Sequence, residues 1–80
     1  MVITMTTTDI LKLLREDREL TQLQVANHLN IGRTMYRRYE TGETEIPVRH
    51  LKSLCLLYGV SSDFILGLPG NLSHSLRKPK

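Results

Sequence analysis

The sequence predicts an all-α fold, a compact bundle of five short helices. Three observations support this. Apolar residues recur at helical spacing in successive blocks, as in Ile10, Leu11 and Leu14 and again in Val25, Ala26 and Leu29. Glycine or asparagine follows most of these blocks, and Ser, Thr or Gly precedes them, which is the punctuation of helix ends. No stretch alternates apolar and polar residues long enough to read as a convincing strand.

The chain has 80 residues, enough for one domain. A domain of this size buries only about 60% of its unfolded surface, and it has little room for a deep substrate cleft. The first helix is expected from about Asp9 to Arg18. Thr6, Thr7 and Thr8 are candidate caps, and Asp9 suits the positive first turn. Thr21 opens the second helix with a capping box completed by Gln24. Asn30, which tolerates the left-handed conformation, ends it. Gly32 is an acceptable cap for the third helix, which runs to about Thr41 and stops at Gly42.

Pro47 suits the first position of the fourth helix, whose core stripe is read as Val48, Leu51, Leu54, Cys55 and Tyr58. Gly59 stops it. Ser61 caps a short fifth helix containing Phe64, Ile65 and Leu66, and Gly67, Pro69 and Gly70 break it. The domain is therefore placed at 9–68, between an N-terminal arm, 1–8, and a basic C-terminal tail, 69–80, that is expected to be flexible.

The net charge is +3, which alone points only weakly to an anionic partner. Its distribution says more. Residues 33–38 hold three arginines and no acid, whereas residues 9–19 alternate acids and bases. On a wheel of about 100° per residue, Gly32, Tyr36, Tyr39 and Glu40 face inward. Thr34, Arg37, Arg38 and Thr41 face outward, with Arg33 at the N-terminal edge.

An arginine-rich helix face is usually plain solvated surface. Here it follows a second helix across a turn too tight for antiparallel packing, so the two helices cross steeply. An α-helix fits the DNA major groove. Arg pairs in bidentate fashion with guanine, and Thr can meet a base edge or a thymine methyl. Residues at the start of such a helix meet bases first, which favours Arg33 and Thr34. Arg38, a turn later, still reaches a base, while Arg37 lies to the side, towards phosphate. The free N–H groups at the start of the second helix, with Thr21 and Gln22, suit a second phosphate. The loop from Thr41 to Thr44 is a further phosphate candidate, opposed by Glu43 and Glu45.

The run LTQLQVANHLNIGRTMYRRYETGETEIP resembles the helix-turn-helix of the phage lambda repressor and Cro-like (XRE) family, and VSSDFILGL resembles the last helix of that family. The resemblance covers roughly Asp9 to Leu68. It implies a lambda-repressor-like five-helix fold, double-stranded DNA as partner, and usually a homodimer on a partly symmetric operator. By position it implies that Gln22 holds a phosphate, that Arg33, Thr34 and Arg38 meet bases, and that Arg15 and Glu40 form an ion pair between the first and third helices. Tyr36 stands where a smaller aliphatic residue is common, and is read as packing while its hydroxyl reaches a phosphate. The family often has Gly where this chain has Glu19 and Asn30. A positive φ at Glu19 would cost ~1 kcal/mol.

Leu56 and Leu57 fall off the predicted core stripe of the fourth helix. With Phe64, Ile65, Leu66 and Leu68 they are read as a dimer patch. The competing reading keeps the fold but makes it a protein-interaction module, such as an antitoxin with an unknown protein partner. An enzyme is disfavoured, because no paired carboxylates, nucleophile–base pair or cofactor loop can be assembled. His28, His50 and His74 lack metal-ligand spacing, so neither metal nor cofactor is expected. Cys55 has no cysteine partner and reads as a buried thiol in a reducing compartment. No apolar run reaches the ~20 residues of a membrane span, and residues 1–8 lack the pattern of a signal peptide. The expected location is the cytoplasm.

Overall fold

The computed structural model describes residues 5–68, so the start of the arm and the tail 69–80 lie outside the described residues. Within them the chain forms α1 (Thr7–Asp17), α2 (Gln22–Leu29), α3 (Arg33–Thr41), α4 (Val48–Tyr58) and α5 (Ser62–Leu66), and no described residue is in a strand.

The caps explain most of these boundaries. Thr6 caps α1: its hydroxyl accepts from Asp9 N–H, and the Asp9 carboxylate accepts from Thr6 N–H. The helix therefore starts two residues before the Asp9 expected from sequence, and Thr7 and Thr8 belong to it rather than to an arm. Thr21 and Gln24 make the same reciprocal pair at α2. Ser61 accepts from Phe64 N–H at α5. Pro47 is the N-cap of α4 rather than its first residue, with an extended ψ of 157°. Gly42, Gly59 and Gly67 end α3, α4 and α5 in the left-handed conformation. Glu19 and Asn30 adopt that conformation without being glycine, at φ 57° and 60°. At Glu19 the expected strain is therefore present. At Asn30 the turn lets Ile31 N–H donate to the Ala26 carbonyl at 3.0 Å, closing the end of α2.

The core gathers Leu11, Leu14, Val25, Ala26, Leu29, Tyr36, Tyr39, Leu51, Leu54, Tyr58 and Ile65. α4 departs from its predicted stripe. Val48 is 78% exposed, whereas His50 is buried and stacks obliquely on Tyr39, with ring centroids 6.0 Å apart. Val48 is the first residue of the helix. Cys55 is half-buried against the core, and burial pushes its thiol pKa up. The guanidinium of Arg18 donates to the Tyr58 carbonyl at 2.7 Å and lies 5.9 Å from the centre of its ring. A residue at the end of α1 thus ties down the last turn of α4.

Candidate nucleic-acid interface

α2 and α3 pack against each other across the Asn30 turn, with Ala26 fully buried between them. The small side chain lets the backbones approach. The inner side of α3 carries Tyr36 and Tyr39, whose rings meet edge to face at 6.3 Å.

Beside them Glu40 collects four donors. Arg15 donates through Nε at 2.6 Å and Nη2 at 3.2 Å, Gln22 through Nε2 at 3.1 Å, and Tyr36 through its hydroxyl at 2.7 Å. The remaining Arg15 Nη1 donates to the Leu20 carbonyl at 2.9 Å. The Glu40 side chain is only 4% exposed and that of Arg15 12%. Burial alone would push the Glu40 carboxyl up. The hydrogen bonds from Arg15, Tyr36 and Gln22 outweigh that and hold it below the usual carboxylate range. Arg15 is raised by its bond to Glu40, and Tyr36 is raised far above a normal phenol, chiefly by burial. One carboxylate thus joins α1, α2 and α3 and fixes the rotation of α3 about its axis.

That rotation decides what α3 presents to solvent. Arg33, Thr34, Arg37, Arg38 and Thr41 are all exposed. No acid of α3 lies on this face, because Glu40, the one acid in the helix, is turned inward. Thr21 is exposed but its hydroxyl already caps α2, and Thr44 is half-buried. Gln22 is half-buried and its amide is held by Glu40, which leaves its second N–H for another acceptor.

Several sequence expectations are corrected. Tyr36 is fully buried and its hydroxyl is spent on Glu40, so it does not reach the outer face. Ile65 is fully buried in the core, so it does not belong to an exposed apolar patch. Leu57 is partly buried against the core, whereas Leu56, Phe64, Leu66 and Leu68 are exposed, at 77%, 47%, 44% and 45%. Gly32, read as inward, is exposed.

Sequence reasoning missed three links: Gln22 to Glu40, Tyr36 to Glu40, and Arg18 to the end of α4. The first two had a signal. A carboxylate on the inner side of a helix needs donors, and Tyr36 stands one turn before it. Among the described residues no group of His, Cys, Asp and Glu is placed to hold a metal ion, and no helix is long and apolar enough to cross a membrane.

Comparison with known proteins agrees with this geometry. A family model described as helix-turn-helix matches residues 11–65. The chain is 36% identical over 78 residues to an uncharacterized HTH-type transcriptional regulator, YobD, of Bacillus subtilis, covering 86% of this chain and 70% of that protein. In fold it is similar to the crystal structure of a transcriptional regulator from Listeria innocua. The TM-score there is 0.77 at 24% identity, over 95% of this chain and 81% of the other. A hypothetical transcription factor, NHTF, from Neisseria gives a TM-score of 0.68 at 20% identity, over 89% and 80% of the two chains. The five-helix architecture, the two helices joined at Asn30 and the family match lead to one conclusion: this chain belongs to the XRE-type helix-turn-helix family of DNA-binding transcriptional regulators.

Proposed function

We propose that the chain is a sequence-specific repressor that binds double-stranded DNA as a homodimer and reads the major groove with α3. It acts in the cytoplasm through residues 9–68, without enzymatic activity. The observation that carries this reading is the outward face of α3. Four donor-bearing side chains, Arg33, Thr34, Arg37 and Arg38, stand exposed on a helix whose back is fixed by Tyr36, Tyr39 and Glu40. Arg33, Thr34 and Arg38 meet base edges. Arg37, the start of α2 with Thr21 and Gln22, and the side chains of Thr41 and Thr44 meet phosphate, which positions the helix without reading sequence. Gln22 does this with the N–H that Glu40 leaves free. A second copy docks through Leu56, Phe64, Leu66 and Leu68, with Leu57 at the edge. The two recognition helices then enter successive major grooves about 34 Å apart.

The test is selection from a random duplex library followed by competition at about 0.15 M salt. The reading expects preference for the selected sequence over random DNA of at least ~10³-fold. Equal affinity for both would reject sequence reading and favour the protein-interaction module. Light scattering of Leu66→Glu checks the dimer: a fall to monomer mass is expected, and an unchanged mass rejects this interface.

A further inference from the structure

An acid stands where a phosphate-binding loop would be expected to avoid one. The loop after α3 folds back on a single carbonyl, that of Arg38. Gly42 N–H donates to it at 3.0 Å, the Thr41 hydroxyl at 3.2 Å and Thr44 N–H at 3.3 Å. Glu43 N–H donates in turn to the Thr41 hydroxyl at 3.4 Å. These bonds hold residue 43 beside the helix it has just left. The Glu43 carboxylate comes to 3.9 Å from Nε of Arg38, and both side chains remain about half exposed.

We infer that Glu43 is a positioning residue for Arg38 and sets sequence discrimination by opposing its contact with phosphate. The inference rests on the reading of Arg38 as a base contact. A carboxylate on the Nε side leaves both Nη groups free, and these form the fork that suits guanine O6 and N7. The same carboxylate repels any phosphate that Arg38 would approach when no guanine is in place. Non-specific binding is almost wholly phosphate binding, so this repulsion falls most heavily on random DNA. Discrimination is gained by weakening the wrong complex more than the right one. The exposed ion pair adds little to folding, because long side chains in water lose mobility for a small Coulomb gain. Its effect belongs to recognition.

The experiment is a double-mutant cycle on Glu43→Gln and Arg38→Ala. Fluorescence anisotropy at about 0.15 M salt measures binding to the duplex selected by the wild-type protein and to a random duplex of equal length. Glu43→Gln should tighten binding to random DNA by ~3-fold or more while changing the selected duplex less, so the ratio falls. In the Arg38→Ala background the same change should leave the ratio unaltered. Equal tightening on both duplexes, or a fall in ratio that persists without Arg38, would overturn the role of Glu43 and leave the reading of Arg38 standing. If Arg38→Ala alone changes no base preference, Arg38 is not a base contact and the inference fails with it.

Discussion

The two sides of α3 carry similar chemistry and put it to opposite use. On the inner side, Glu40 is surrounded by Arg15, Gln22 and Tyr36, each of which donates to it within the molecule. On the outer side, Arg33 and Arg37 form no ion pair with a described residue, and Arg38 has only the long contact to Glu43. A charged group that is buried and saturated orients the helix. One left exposed and unsaturated is available to a partner. The inner side should therefore govern stability and the outer side binding.

The largest effect is expected at Glu40. Glu40→Ala leaves the Arg15 guanidinium part-buried without its partner and should lower stability by about 3–5 kcal/mol. Urea unfolding measures this. A loss below about 1 kcal/mol would place Glu40 among ordinary surface pairs. Arg38→Ala should do the reverse: it should weaken binding to the selected duplex by about 1–3 kcal/mol and relax choice at one base position, with an unchanged urea midpoint. A shifted midpoint would show that the outer side also carries the fold.

Much of this division is legible in the sequence. Helix ends are local events, so Thr21 with Gln24, Ser61, Gly42 and Gly59 mark them directly. Helical periodicity puts Tyr36, Tyr39 and Glu40 on one side of α3 and the arginines on the other. It does not fix where the Tyr36 hydroxyl ends, because a phenol buried to its ring can still send its oxygen outward. Glu40, one turn on, captures it instead. α4 is less legible because its apolar residues go almost all the way round. With Val48, Leu51, Leu54, Leu56 and Leu57 on every side, periodicity does not choose a face. Packing does, by seating His50 on Tyr39 and leaving Val48 and Leu56 in solvent. The approach of Glu43 to Arg38 follows from how the loop hydrogen-bonds, which residue types alone do not reveal.

Smaller effects sharpen the same contrast. Tyr36→Phe removes one donor from Glu40 but keeps the ring, so stability should fall by about 1 kcal/mol, with base preference on the selection library unchanged. A changed preference would mean that the hydroxyl acts on DNA after all. His50 gives a pH signature. Burial, with help from the nearby Arg49, holds its folded-state pKa below the ordinary 6.5. The unfolded chain therefore takes up a proton that the folded chain resists. Stability should be full above about pH 6.5 and fall as pH drops towards the folded value. Glu40 has its pKa depressed below 4.5, so its contribution is lost only at lower pH. Melting of His50→Gln at about pH 7.5 and about pH 5.5 should show a smaller difference than wild type. An equal difference would assign the titration to another group.

The central claim, that α3 is oriented by its inner charges and reads DNA with its outer ones, is tested most directly by arginine side-chain NMR. The Nε–H signals would be followed as the selected duplex is added. Those of Arg33, Arg37 and Arg38 should move, while that of Arg15, held by Glu40 at 2.6 Å, should stay in place. Movement at Arg15, or stationary signals at Arg33 and Arg38 while the duplex binds, would contradict it.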